Sequence, residues 1–380
     1  MHPTLKPGKR VVVSEFGESP TEAIAHCMLL QDVAAPDPAT LQADEVIVEI
    51  RSAAVAWVDL LMTSGQYQHM AMPPYCPGME YSGVVVWAGA DVQPSQIAPG
   101  DRVFSDWFVS GPRAGGRYQS AGGFATYAVL PATAVRRIPE GFSFDEACNL
   151  LANYETAYHC LIARGQLRAG ETVLINGASG STGMAAVQVA KLLGATVIAI
   201  GRSDTKLALV KAHGADHVIN TANSGGTEGT EGTTGVRRFR DEVKTLTGGR
   251  GVDVVYDAVG GDTSLESLRS TAFGARFLIV GWTSTPNVAR GRGQRGAPNA
   301  NLLPTNIIQM KGLSVLGCPA AISVAHDPSI RPPRVAQVMQ WVTQGRIRPH
   351  ISHTFALADF KSAMLARWNG VVVGGCVLHP

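Results

Sequence analysis

The segment Val173-Leu174-Ile175-Asn176-Gly177-Ala178-Ser179-Gly180-Ser181-Thr182-Gly183 constrains the fold of this chain more than any other. An apolar run enters a Gly-x-x-Gly-x-x-Gly turn, and residues 184–193 then repeat apolar side chains at helical spacing. A strand that is apolar on both faces must be covered on both, which a parallel sheet with helices above and below provides. The neighbouring pattern agrees, with strands read at 172–176, 196–200, 217–219, 252–257, 276–280 and 313–317. Helices alternate with them at 183–193, 204–213, 240–247 and 263–271, after a helical stretch at 145–164, and a last helix and strand follow at 333–344 and 375–378. Small residues in the turn let the backbone approach a pyrophosphate, and the N–H groups and dipole of the following helix favour that anion. Ser179, Gly180, Ser181, Thr182 and Gly183 are therefore read as the pyrophosphate turn of a dinucleotide site. A P-loop is excluded, because Met184-Ala185 stands where Lys-Ser/Thr would follow the last glycine.

The end of the second strand discriminates between dinucleotides. An acidic residue there takes the ribose 2′-hydroxyl, whereas basic residues accept a 2′-phosphate. It reads Ile200-Gly201-Arg202-Ser203-Asp204-Thr205-Lys206. Arg202 and Lys206 can neutralise a phosphate and Ser203 can hydrogen-bond it, which favours NADPH over NADH. Asp204 adds a negative charge and can cap the next helix.

The remaining sequence narrows the function further. With 32 Lys+Arg against 30 Asp+Glu, a net charge of +2 draws the chain to neither nucleic acid nor an anionic membrane. No apolar run reaches the roughly 20 residues of a membrane span, and residues 1–15 lack the apolar core of a signal peptide. A cytoplasmic location is expected. The six cysteines contain no C-x-x-C pair, so neither a zinc ribbon nor a disulfide framework is indicated. Up to residue 139, Val- and Ile-rich runs at 10–14, 45–54, 81–87, 102–107 and 125–130 alternate with Gly/Pro turns, the signature of an irregular β unit. Two polar insertions, 222–235 and 286–301, have no assigned chemistry. The second carries Arg290, Arg292 and Arg295, which suit a solvated loop or steering of an acidic substrate, and which lack the interleaved aromatics that stack RNA bases.

Several further motifs join these: Pro77-Gly78-Met79-Glu80-Tyr81-Ser82-Gly83, Gly100-Asp101-Arg102-Val103, Gly122-Gly123-Phe124-Ala125, Thr156-Ala157-Tyr158, Gly214-Ala215-Asp216-His217 and Asp257-Ala258-Val259-Gly260. With them the chain resembles, over nearly its full length, the medium-chain dehydrogenase/reductase superfamily, and specifically its zinc-independent quinone oxidoreductase (zeta-crystallin-like) branch. The resemblance implies an α/β protein with a GroES-like, β-rich catalytic domain over 1–152 and 322–380. A Rossmann domain with a doubly wound parallel sheet would bind NADPH over 153–321 and carry a homodimer contact. Thr156 would meet the nicotinamide end, and Ala258, Val259, Gly281 and Trp282 would line the nicotinamide side. Thr221 stands where the family often has a Tyr near the 2′-phosphate.

The family segment Asn-x-x-Asp-x-x-x-Arg-x-Gly-x-Tyr reads here from Ala56 to Tyr67, keeping Asp59, Gly65 and Tyr67 but placing Ala56 and Thr63 at the Asn and Arg positions. Trp57, Asp59 and Tyr67 would line the substrate pocket. Tyr67 either hydrogen-bonds the substrate oxygen and relays a proton or packs as an aromatic at the domain seam. Zinc-dependent relatives place a His in Gly-His-Glu, where Met79 stands here, and a Cys near Ala56 or Trp57. No cysteine lies between Cys76 and Cys148 to build a structural-zinc lobe, so no metal is expected. Without a Lewis acid, hydride passes most easily to a conjugated acceptor that spreads the charge. The expected activity is NADPH-dependent, metal-free reduction of a quinone or α,β-unsaturated carbonyl. The rivals are an enoyl-thioester (acyl-CoA) reductase and an NADPH-binding sensor or structural protein without turnover.

Overall fold

Short β-branched runs between glycine and proline turns cannot bury themselves singly, so they pair. The computed structural model describes residues 5–67, 71–222, 236–284 and 301–380. In chain order its strands are β1 (Gly8–Val13), β2 (Met28–Val33), β3 (Glu45–Ala54), β4 (Tyr81–Ala88), β5 (Arg102–Ser105), β6 (Tyr127–Pro131) and β7 (Val135–Arg137). Next come β8 (Thr172–Ile175), β9 (Thr196–Gly201), β10 (His217–Asn220), β11 (Val252–Asp257), β12 (Thr271–Ile279) and β13 (Ser314–Gly317), and finally β14 (Ile351–Ala356) and β15 (Gly375–His379).

Two units emerge, one from residues up to 152 together with 348–380, the other from 153–284 with 301–347. In the first unit the sheet order is β14-β15-β3-β4-β5-β7, with β6 also paired to β3. Its centre is β3, whose Val46, Val48 and Ile50 are buried with Val85, Val103, Leu130 and Leu378. The chain end belongs here because Val377 and Leu378 of β15 pair with Ala54 and Ala53 of β3.

The second unit is a parallel sheet in the order β10-β9-β8-β11-β12-β13. Numbered within the unit, this is 3-2-1-4-5-6, the doubly wound order, and it reverses between β8 and β11. Ligands of such sheets bind beyond the carboxyl ends of the strands at that switch point. The α/β class expected from sequence is therefore present.

Local boundaries differ from the sequence reading for identifiable reasons. The continuous helix expected at 145–164 is broken. Ser143 and Glu146 cap a short turn at Phe144–Ala147, a helix spans Leu151–Tyr158, and the backbone then widens into a π-helical segment at His159–Arg164. The chain rejoins the first unit at 348, whereas the sequence reading drew that line at 322. The helices Ala320–His326 and Arg331–Thr343 stay with the second unit because Arg331 is ion-paired to buried Glu155, with both carboxylate oxygens in reach at 2.8 and 3.0 Å. Two other stretches, Pro20–His26 and Phe360–Trp368, are helices that no periodic apolar signal announced.

Candidate active site

At the switch point, the turn after β8 has the geometry a pyrophosphate needs. Gly177 adopts φ +66°, a left-handed conformation in which a side chain is strained. A Cβ on Gly183 would lie 2.3 Å from the Gly177 carbonyl oxygen, so only glycine lets the turn fold back on itself. Gly180 is the N-cap of the helix Ser181–Leu192 and supplies no side-chain cap, and the positive end of the helix dipole points to where an anion would sit. Thr182 donates its hydroxyl to Asn153 at 3.1 Å, so its side chain braces the turn. Ser179 and Ser181 are half-buried beside it. The residues present fit a dinucleotide.

A buried polar network, which sequence reasoning missed, holds the opposite side of the switch point. Asn176 donates to Asp257 and to Ser267, each at 2.9 Å. Asp257 in turn accepts the backbone N–H groups of Val259 (3.1 Å) and Gly260 (3.2 Å) and the Ser264 hydroxyl. That clamps Ala258 and Val259 at the end of β11. The segment after β12 runs alongside, with Thr283 N–H donating to the Ala258 carbonyl at 3.3 Å and Ser284 N–H to that of Val259 at 2.8 Å. A Cβ on Gly281 would sit 3.3 Å from the Ala258 carbonyl oxygen. Ala258, Val259, Gly281 and Trp282 are thus brought together, with Trp282 45% exposed. The only sequence signal for the clamp was a polar residue closing each of two apolar strands.

At the end of β9, Arg202 and Lys206 stand close enough that burial, aided by the Arg202 charge, lowers the Lys206 pKa. Ser203 is the N-cap of the helix Asp204–Ala212 and makes no side-chain capping bond. Asp204 is therefore not the cap. It begins the helix, and its carboxylate accepts from the Asn220 amide at 2.9 Å, which occupies the negative charge locally. Thr221 donates to the Gly201 carbonyl at 3.1 Å and fixes the end of the strand. Thr156 is half-buried on the helix Leu151–Tyr158, next to buried Glu155.

In the first unit, the three residues assigned to the substrate pocket are placed very differently. Tyr67 is half-buried, and its hydroxyl oxygen accepts from Arg113 Nε at 3.3 Å. The guanidinium of Arg113 also lies 5.4 Å from the Tyr67 ring centroid and 5.1 Å from that of Trp107. Arg113 had no motif around it and was missed. Trp57 stacks on Trp368, with centroids 5.2 Å apart and an interplanar angle of 2°, so its bulk is used within its own unit. Asp59 is fully buried and spends its carboxylate on the N–H groups of Ala56 (2.9 Å), Gly78 (3.2 Å) and Met79 (3.1 Å). It shapes the Gly78-Met79 turn instead of facing solvent.

Burial, only partly offset by those N–H donors and Arg367, raises the Asp59 pKa to about 6. A raised folded value means that the protonated form is favoured on folding. The resulting stabilisation is complete below the unfolded value of ~4 and is lost as pH rises through about 6, a change of about 3 kcal/mol. Asp59→Asn should flatten the pH dependence of urea unfolding between pH 4 and 6.5. Identical slopes for variant and parent would contradict this.

The same corner does not fit a zinc ion. Met79 is buried where the zinc-dependent frame has a His, and Asp59 is committed to the backbone. The Cys76 thiol is buried and donates to the carbonyls of Gly122 and Phe124 at 3.4 and 3.5 Å, so it too is committed to the backbone, and burial pushes its pKa up to about 12. Among the described residues no group of three or more His, Cys, Asp or Glu is placed to hold a metal. Nor is any helix among them long and apolar enough to cross a membrane. Arg290, Arg292 and Arg295, and all of the first polar insertion after residue 222, lie outside the described residues.

Comparison with known proteins bears on both units. Residues 42–140 match the family model of the alcohol dehydrogenase GroES-like domain, and residues 181–327 match that of zinc-binding dehydrogenases. Quinone oxidoreductase-like protein 2 of Mus musculus is 32% identical over 339 residues, covering 89% of this chain and 85% of its own. A mycobacterial protein solved in complex with NADPH superposes with a TM-score of 0.74 at 25% identity, over 98% of this chain and 100% of that one. An NAD-dependent alcohol dehydrogenase reaches the same TM-score of 0.74 at 25% identity, over 98% and 99% of the two chains.

Proposed function

The chain belongs to the medium-chain dehydrogenase/reductase superfamily, in its quinone oxidoreductase branch, and from this premise we propose that it is an NADPH-dependent, metal-free reductase of quinones or α,β-unsaturated carbonyls. Overall likeness does not choose the cofactor, since an NADPH complex and an NAD-dependent enzyme are equally similar to it. The Arg202 and Lys206 pair at the end of β9 supports NADPH. The observation that carries the reaction class is the corner of Met79, Cys76 and Asp59, which offers no zinc ligand set. Without a metal to polarise a simple carbonyl, the acceptor must delocalise the incoming charge itself.

Bound NADPH would supply the hydride. The turn Ser179, Gly180, Ser181, Thr182 and Gly183 would hold its pyrophosphate, Arg202, Ser203 and Lys206 its 2′-phosphate, and Thr156, Ala258, Val259, Gly281 and Trp282 its nicotinamide end. Tyr67 would deliver the proton. Because a guanidinium has donors and no acceptor, the bond from Arg113 can only be received by the Tyr67 oxygen. The Tyr67 proton would therefore stay available to the substrate. Trp57 and Asp59 act behind this pair, as packing partner and turn former. The expected homodimer and cytoplasmic location belong to the same reading, with the edge strand β13 as the surface open to pairing.

Two experiments test this. The purified protein should oxidise NADPH with ortho- or para-quinones or enones, unaffected by chelator, and much less with simple aldehydes. Turnover confined to aldehydes and abolished by chelator would overturn the metal-free reading. Turnover confined to enoyl-CoAs would shift it to a thioester reductase, and NADPH binding without any turnover would favour a sensor. Tyr67→Phe should lower kcat about 100-fold, and Arg113→Met about 10-fold, with KM for NADPH unchanged in both. Unaltered kcat in Tyr67→Phe would remove Tyr67 from the chemistry.

A further inference from the structure

The second unit contains a cavity of about 410 Å³ that the proposed reaction does not use. It lies between the π-helical segment His159–Arg164 and the helix Ala320–His326. Ile322 and Ile330 give it an apolar wall, while His159, Arg164, Ser323 and Arg334 give it a polar one. Its size falls at the small end of small-molecule sites, roughly 300 to 1,000 Å³.

The charges around it do not cancel. Glu155 satisfies Arg331 with two short contacts and reaches Arg334 only at 3.5 Å. Arg334 is 2% exposed, its Nη1 contact to the Ala320 carbonyl is 3.5 Å long, its Nε faces Glu155 only through that 3.5 Å ion pair, and its Nη2 has no partner. Burying open donors of a cation is costly unless something completes them. Arg164 adds a second positive charge, anchored by Nε to the Gly317 carbonyl at 3.0 Å. The Asp327 carboxylate, also at the wall, takes the N–H and hydroxyl of Ser329 on Oδ1 at 3.1 and 2.6 Å and leaves one negative charge against the two arginines. His159, 3.4 Å from the Ser323 hydroxyl, is kept neutral: burial first, then Arg334 and Arg164, push its pKa down to about 4. The cavity wall thus carries two arginines against one carboxylate and is net positive.

We infer that this cavity is a second ligand site, which takes a small organic oxyanion, its carboxylate or phosphate group held by Arg334 and its short apolar body against Ile322 and Ile330. The inference is independent of the reaction proposed above.

Calorimetric titration of the full chain saturated with NADPH, so that the dinucleotide site is filled, tests it with inorganic phosphate, hexanoate and uncharged 1-hexanol. Saturable one-to-one binding of phosphate or hexanoate, absent for hexanol, is expected, and whichever anion binds identifies the headgroup. Arg334→Gln should weaken it at least 10-fold. Because that substitution can also disturb folding, Ile322→Trp serves as the second variant: it fills the cavity, leaves Arg334 in place, and should abolish binding without lowering the ligand-free melting temperature. No saturable binding of either anion, or undiminished binding in Ile322→Trp, would overturn the proposal.

Discussion

Replacing Arg202 and Lys206 together by alanine is expected to raise KM for NADPH by about 100- to 1,000-fold while KM for NADH stays within a few-fold. Each charge-assisted hydrogen bond to a phosphate contributes about 1.5 to 3 kcal/mol, and about 1.4 kcal/mol corresponds to a factor of ten. Two such contacts account for that range after allowance for screening at a partly exposed site. The nearby negative group, Asp204, is hydrogen-bonded to Asn220. The Lys206 pKa is depressed by burial first and then by the neighbouring Arg202 charge. Bound phosphate should reverse it, so NADPH affinity should fall with increasing ionic strength more steeply than NADH affinity. Equal loss for both cofactors would mean that the pair supports the fold of the turn instead of reading the 2′-phosphate.

What could be read in advance and what could not divide along a physical line. The glycine turn after β8 was legible because its requirements are local: Gly177 needs φ +66° and Gly183 needs the absence of a Cβ, and both are visible as glycines at fixed spacing. The sheet was legible because strands buried on both faces leave continuous apolar runs. The Asn176–Asp257 clamp was not, because its partners lie 81 residues apart and nothing in either strand names the other. Arg113 escaped for the same reason, being 46 residues from Tyr67 in a glycine-rich stretch without periodicity. Asp59 misled in the opposite direction. Its match to a family motif suggested a pocket residue, while its three bonds to backbone N–H groups assign it to the turn beneath.

Glu155 combines both lessons and carries the second large effect. In sequence it is a charged residue beside Thr156 with no partner visible nearby. The compensation comes 176 residues later in Arg331, with Arg334 on the next turn of the same helix. Glu155 is 1% exposed, Arg331 8% and Arg334 2%, so removing the carboxylate strands two cations away from water. Glu155→Ala should therefore lower the unfolding free energy by about 3 to 5 kcal/mol, the usual cost of breaking a buried ion pair from one side. An apolar replacement of the whole cluster, Glu155→Leu with Arg331→Met and Arg334→Leu, should recover most of that loss, because the desolvation cost disappears with the charges. Urea unfolding midpoints at constant m-value separate the outcomes. If the single variant is as stable as the parent, water reaches the pair and Glu155 does not hold Arg331–Thr343 to the second unit. If the triple variant is no better than the single one, the three side chains matter for shape and not for charge, and the helix Leu151–Tyr158 that carries Thr156 is positioned by packing alone.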